Sequence, residues 1–300
     1  MRVRVAVPAS VANLGPGFDI LALALHLQNT VRAEQRDGDL SIDPGEGAPA
    51  ALRDPEQNLV TRAYAVACAE LGVPATGVHF TCVNNIPIGR GMGSSAAAVL
   101  SGVLIASALH HAPWDENDIL DRAEAIEGHR DNVAAALLGG LAICSPGAPA
   151  AQLPVADELH AVLMVPERPF ATVDARQVVP TEFSRNDAIF NAGRCALLVR
   201  AFALGDHAGL RIAMQDHWHQ DARFALIPGA KAVVEAALEA GASGASLAGA
   251  GPSVIALTPL DPEPIGHAMA LAALHAHVQV PGEIMYLSPQ NYGTRIDVSA

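Results

Sequence analysis

The segment NNIPIGRGMGSSAAAVL, from Asn84 to Leu100, sets Gly89, Gly91 and Gly93 at alternate positions directly before Ser94, Ser95 and an alanine-rich run. Glycines let a backbone approach an anion closely, and the unpaired N–H groups and dipole of a following helix favour phosphate there. The two hydroxyls can cap that helix or reach a phosphate or a hard metal ion. A glycine-rich turn by itself signals little; the serine pair at the helix start points to phosphate. A second segment, PASVANLGPGFD from Pro8 to Asp19, crowds Asn13, Gly15, Pro16, Gly17 and Asp19 into one turn, and Asp19 leads straight into the apolar stretch Ile20 to Leu27. A carboxylate at the edge of a core needs a fixed partner, so Asp19 is a candidate binding group. The third segment, SGASLAGAGPSVIAL, places Gly249, Ala250, Gly251 and Pro252 between two apolar runs and reads alone as a tight hairpin.

Elements must position these groups. Arg2 to Val7 alternates polar and apolar residues up to Pro8, which predicts a strand, and Thr30 to Gln35 predicts its partner. Gly, Pro and Asp mark Asp37 to Pro55 as a surface excursion before a helical period from Asn58 to Leu71. A strand is expected at Gly77 to Asn84, helices at Ser94 to Leu109, Asp115 to Glu127 and Asp131 to Leu138, and an extended piece at Leu141 to Cys144. Ser145 to Pro154 holds three prolines and a glycine and is the best linker, which divides the chain into domains 1–150 and 151–300. Beyond it come strands at Leu159 to Val165, Ala245 to Leu247, Ser253 to Leu257 and Glu283 to Leu287. Helices lie within Asp187 to Leu204 and over Lys231 to Ala240 and Pro264 to His277. Strands and helices alternate without the regular unit of a doubly wound sheet, so the class is α+β, two sandwiches side by side.

The chain has 300 residues, 51% of them hydrophobic and 16% charged, ample for a core and unlike a disordered segment. A net charge of −13 opposes a broad grip on nucleic acid or an anionic membrane, so any phosphate site must be local. Lys231 is the only lysine and follows no GxxxxGK[ST] pattern, which excludes a Walker-type loop. Cys68, Cys82, Cys144 and Cys195 sit apart in apolar runs and read as buried free thiols. With no apolar run long enough to span a bilayer, the expectation is a cytoplasmic protein. His217 with His219, and His275 with His277, lack the i, i+4 spacing of a zinc helix.

Together the three glycine segments resemble the GHMP kinases over nearly the whole chain. The run Pro87, Ile88, Gly89, Arg90, Gly91, Met92, Gly93, Ser94, Ser95, Ala96, Ala97 is similar to that family's ATP loop, and SLAGAGPSVIAL, with Gly249 and Gly251, to its third motif. VANLGPGFD and EGHRDNVAAALLGG, Glu127 to Gly140, are similar to the branch of the family that phosphorylates the hydroxyl of L-homoserine on the route to threonine. The resemblance implies an N-terminal ribosomal-protein-like α/β domain, a C-terminal ferredoxin-like domain, and the use of ATP and Mg²⁺. It implies that Ser94 approaches the metal and that Asn13, Asp19 and His129 line a homoserine pocket. Arg194 and Arg223 match two arginines that hold the substrate carboxylate. The metal carboxylate would come from the helix before His129, where Glu127 and Glu124 both qualify. The proton lost by the hydroxyl passes near His129, Asp131 and Asn132, for which a positioning role is expected. Three departures stand out: Arg130 and Ala135 where relatives often have proline, and Ala248 where they have serine, a hydroxyl that Ser246 or Ser253 could replace.

Homoserine is a zwitterion, and Asp19 with two arginines would answer both of its charges. Mevalonate, sugars and shikimate, substrates of the alternative kinase reading, offer no ammonium to Asp19. A non-catalytic relative would have no need of an intact ATP loop. The resemblance implies a small-molecule partner, with room for a homodimer.

Overall fold

The computed structural model describes residues 1–168, 172–275 and 282–299. β1 (Arg2–Asn13) and β2 (Gly17–Gln35) form the long antiparallel pair at the heart of the first sheet. They are followed by β3 (Ser41–Asp43), α1 (Leu59–Glu70), β4 (Val78–Val83), α2 (Ser94–Leu109), α3 (Glu116–Glu127), α4 (Asp131–Leu138), β5 (Leu141–Ile143) and β6 (Ala151–Leu153). The second half holds β7 (His160–Pro166), α5 (Thr172–Gln177), α6 (Arg185–Leu204), α7 (Leu210–Ala213), α8 (Gln220–Phe224), α9 (Ala230–Glu239), β8 (Gly244–Leu247) and β9 (Val254–Thr258). It closes with α10 (Glu263–His275), β10 (Gly282–Leu287) and β11 (Arg295–Ser299). The expected helix to Pro264–His277 is present as far as the described residues reach, and His277 lies outside them.

The first sheet runs β11-β1-β2-β4-β3, with β5 on β2 and β6 on β5; the second runs β10-β7-β9-β8. Pro8 does not end the first strand as its sequence suggests. The register shifts between Pro8 and Ala9, a bulge that tolerates the missing proline N–H, and β1 continues to Asn13. β2 likewise takes in the whole apolar stretch before Thr30, whose residues Leu21 to Leu25 are buried.

The second sheet is covered on both faces, which explains its uninterrupted apolar strands. Along β7, Ala161, Leu163 and Val165 join the main core while Val162 and Met164 face a second core with α9 and α10, the period-2 alternation of a strand. Four antiparallel strands with these helices on one side give the ferredoxin-like half that was expected. The division at residue 150 is not, however, a division between the sheets. β6 at Ala151–Leu153 pairs with β5, and β11 returns to pair with β1, because an otherwise open sheet edge takes the nearest free strand. No helix among the described residues is long and apolar enough to cross a membrane.

Candidate active site

Three of the four non-glycine residues with positive φ among the described residues are Asn13 (73°), Leu14 (48°) and Asp19 (56°), which end β1, lie in the turn after it and begin β2. Backbone strain of this kind persists only where its surroundings impose it. Here Asn13 Nδ2 donates to the Gly249 carbonyl at 2.8 Å, Asp19 N–H donates to Asn13 Oδ1 at 3.3 Å, and Gly249 N–H donates to the Ala12 carbonyl at 3.1 Å. The second and third glycine segments are thus one unit.

The ATP-loop segment packs on the same unit. A Cβ on Gly91 would overlap the Ala248 carbonyl, and one on Gly93 would overlap Ser10, so only glycine fits at either place. Gly93, at φ 74°, is the N-cap of α2 and no side chain caps the helix; Ser94 and Ser95 lie inside its first turn rather than capping it. The N–H groups of that turn are therefore left for an anion. Ser94, Ser95, Gly89, Arg90, Gly91, Gly93 and Ala97 line a cleft of about 390 Å³, with Ile88 at its rim. Pro87, Met92, Ala96 and Gly251 are not in its lining; Met92 and Ala96 are buried behind it. The Arg90 guanidinium ties the loop to the end of β7, donating to the carbonyls of Pro166 (2.6 Å) and Glu167 as well as to that of Ile88 within the loop (2.7 Å). In the third segment Gly249 and Ala250 line the cleft, whereas Ser246 donates to the Leu247 carbonyl and Ser253 is buried without a partner. Neither replaces the hydroxyl absent at Ala248.

The short turn between α3 and α4 brings Glu127, His129, Asp131 and Asn132 together. Ser95 Oγ donates to Glu127 Oε1 at 2.5 Å, so Ser95, on the side of α2 that faces α3, is the hydroxyl beside this carboxylate rather than Ser94. Burial raises the Glu127 carboxyl, against the opposing pull of Ser95 and His129. Glu124 is occupied elsewhere, accepting from Arg130 at 2.8 Å. His129 Nδ1 is 3.0 Å from Asp131 Oδ1, which also accepts from the Asn132 N–H at 2.7 Å. Burial opposes charge on His129, but the bond to Asp131 and the charges of Asp131 and Glu127 outweigh it, so its pKa rises. Asn132 lines the cleft with its Nδ2 buried and unpartnered.

Asp19 faces a cation of the protein that motif matching did not single out. Arg176, on α5, grips it through two bonds, Nη2 to Oδ1 at 2.7 Å and Nη1 to Oδ2 at 3.0 Å. Arg194 lies outside the cleft lining, bound to Gln215 Oε1 and stacked 4.3 Å over Phe190. Arg223 is 2% exposed, lines the cleft, and donates to the carbonyls of Ala175 and Gly249. Burial and the neighbouring Arg176 lower its pKa to about 10, which leaves it charged at neutral pH. Both guanidinium groups stand over the Phe18 ring, at 5.7 and 5.2 Å. The far end of the cleft, which motif reading missed, is lined by Val31, Pro44, Leu52, Val60 and the amides of Asn58 and Asn84, a slot suited to a flat aromatic base.

His219, fully buried behind Arg223, donates from Nε2 to the Gly15 carbonyl at 2.8 Å and accepts from Arg223 at Nδ1, 3.0 Å away. That geometry requires a neutral ring, and burial lowers its pKa to about 4. The unfolded chain, with histidine near 6.5, binds more protons between these values, so stability is fully present above pH 6.5 and is lost as pH falls toward 4. Lowering the pH from 7 to 5 is expected to cost about 2 kcal/mol through this group. Urea unfolding at both pH values should show that loss reduced in His219→Gln; an identical loss in the variant would contradict the assignment. His217, by contrast, is exposed and stacks on Phe190 at 3.8 Å. Cys68, Cys82 and Cys144 are buried free thiols, and Cys195 is partly exposed.

Residues 58–140 match the family described as GHMP kinases N terminal domain, and residues 198–274 match GHMP kinases C terminal. A homoserine kinase of Synechococcus sp. is 40% identical over 99% of this chain and 98% of its own length. One of Gloeobacter violaceus is 41% identical over 99% of both. The crystal structure of homoserine kinase from Cytophaga hutchinsonii superposes with a TM-score of 0.86 at 29% identity, covering 99% of this chain and 97% of that one. Galactokinase of Lactococcus lactis, at 14% identity and a TM-score of 0.74, shares the fold.

Proposed function

Because the chain belongs to the GHMP kinases, and within them to the homoserine kinases, we propose that it transfers the γ-phosphoryl group of ATP to the hydroxyl of L-homoserine. The product is O-phospho-L-homoserine, on the way to threonine. One observation carries this reading: Asp19 and two arginines, Arg176 and Arg223, share a cleft with an uncapped helix N-terminus behind a glycine loop. The anionic triphosphate belongs at the start of α2, and the base in the apolar slot beyond it.

The amino acid opens the Asp19–Arg176 pair rather than finding an empty site. Its ammonium takes the Asp19 carboxylate and its carboxylate takes the guanidinium, with Arg223 behind, so no charge is left unanswered at any stage. Substrates without an ammonium leave the carboxylate of Asp19 to Arg176 and gain nothing from it.

Glu127 and Ser95, both hard oxygen donors 2.5 Å apart, fit a magnesium ion that keeps several waters. Such an ion would supply charge neutralisation to the triphosphate during transfer. The protein's own part is positional. Asn132 Nδ2, lacking a partner, is available to the incoming hydroxyl or phosphate. His129, oriented by Asp131, is placed to donate a hydrogen bond to developing negative charge. A loose transition state asks little of a base, since the nucleophile keeps its proton until late. ADP release coupled to a reporter enzyme, with the product identified by phosphorus NMR, tests the reading. Release with L-homoserine and a new phosphomonoester signal are expected. Release with mevalonate or a sugar alone, or none at all, would overturn it.

A further inference from the structure

The three-residue turn that joins α3 to α4 carries a restraint on the side away from the nucleotide. Gly128 ends α3 at φ 89°, and Arg130 is the N-cap of α4 with no side-chain cap of its own. A turn built on glycine has a backbone free to adopt many conformations, yet this one must hold Glu127, His129, Asp131 and Asn132 in register. Arg130 reaches back across it. The two hydrogens of its Nη1 go to Asp121 Oδ1 at 2.5 Å and Glu124 Oε2 at 2.8 Å, carboxylates three residues apart on one face of α3. Its side chain is only 13% exposed, although Asp121 stands largely in solvent. A second opening, floored by Arg130, Asp121 and Glu124, reaches Asp19 and His129 from this side.

We propose that Arg130 is a positioning residue: its link to Asp121 and Glu124 clamps the α3–α4 turn and so holds His129 and Asn132 against the cleft. It is absent from the lining of the nucleotide cleft and acts through the turn. The proposal rests on the kinase reading for its effect on rate, but the clamp itself is measurable without turnover. Placement errors near 1 Å can cost a reaction about 10²-fold, so kcat should be sensitive to its loss while KM for ATP, set by the loop and α2, should move little.

Arg130→Met tests this, with the Asp121→Asn/Glu124→Gln double variant as its partner, since that variant removes the acceptors from a partly solvated face and leaves Arg130 in place. Both should lower kcat for L-homoserine by about tenfold or more with KM for ATP nearly unchanged. Both should speed amide hydrogen exchange at residues 128–132 by about fivefold, the scale of one lost ion pair, without change in β1 or α2. Arg130→Lys should recover part of each effect. Unchanged exchange at the turn in the double variant, or faster exchange with wild-type kcat, would overturn the proposal. A wild-type chain inactive on homoserine would contradict the functional reading alone, and the exchange measurement would still decide the clamp.

Discussion

Arg176→Ala is expected to lower kcat/KM for L-homoserine by about 2–3 kcal/mol, on the order of 10²-fold, with ATP affinity unchanged. The variant leaves Asp19 without its two-pronged partner and, on the proposed reading, takes that cation from the substrate carboxylate as well. The loss falls in the lower part of the range for paired charges because both side chains are more than a third exposed. Arg176→Lys should restore only part of the loss, since a single ammonium cannot reproduce the fork. Arg194→Ala is the control: its guanidinium holds Gln215 and Phe190, outside the cleft, and the expected change is below about threefold. Steady-state kinetics on the three variants decide the matter. An Arg194→Ala loss equal to that of Arg176→Ala would return the carboxylate site to the residue that motif matching had chosen.

Glu127→Gln is expected to raise the magnesium concentration for half-maximal rate by about tenfold or more, because the site supplies one carboxylate and a neutral amide binds a hard cation poorly. Ser95→Ala should move the same midpoint in the same direction, and Ser94→Ala should move it less. Glu124→Gln should leave the midpoint where it is, its carboxylate being turned toward Arg130. Magnesium titrations of initial rate separate these outcomes. The reverse ranking of Glu127 and Glu124 would shift the ligand by one turn of α3.

What the sequence made legible was local. α2 begins at Ser94 and α4 spans Asp131–Leu138 as their periodicity predicts, and Asn58 caps α1 by accepting from the Val60 N–H at 2.9 Å. The glycine loop and the α3–α4 turn could be read because their chemistry sits within a few consecutive residues. Arg176 could not, since its meaning lies in a carboxylate 157 positions away and the short helix that carries it has no motif of its own. Arg194 shows the complementary case: its neighbours in the chain match the motif, but the face of α6 it occupies meets Gln215, outside the cleft lining. β11 was missed although Ile296 and Val298 alternate with polar residues. The partner that makes it a strand is the first one of the chain, and its own side chains stay exposed. Pro8 shows the opposite case, a strong local stop signal overruled by a bulge in a strand paired along both ends.

The central claim is that one cleft reads both charges of a zwitterionic alcohol while holding ATP. The most direct measurement compares kcat/KM for L-homoserine with that for 4-hydroxybutyrate, which lacks the ammonium, and 3-aminopropan-1-ol, which lacks the carboxylate, at saturating ATP. Each deletion should cost on the order of 10²-fold, with Arg176→Ala narrowing the gap to the amino alcohol by removing a cation that this substrate never uses. Equal kcat/KM for homoserine and either analogue would contradict the account.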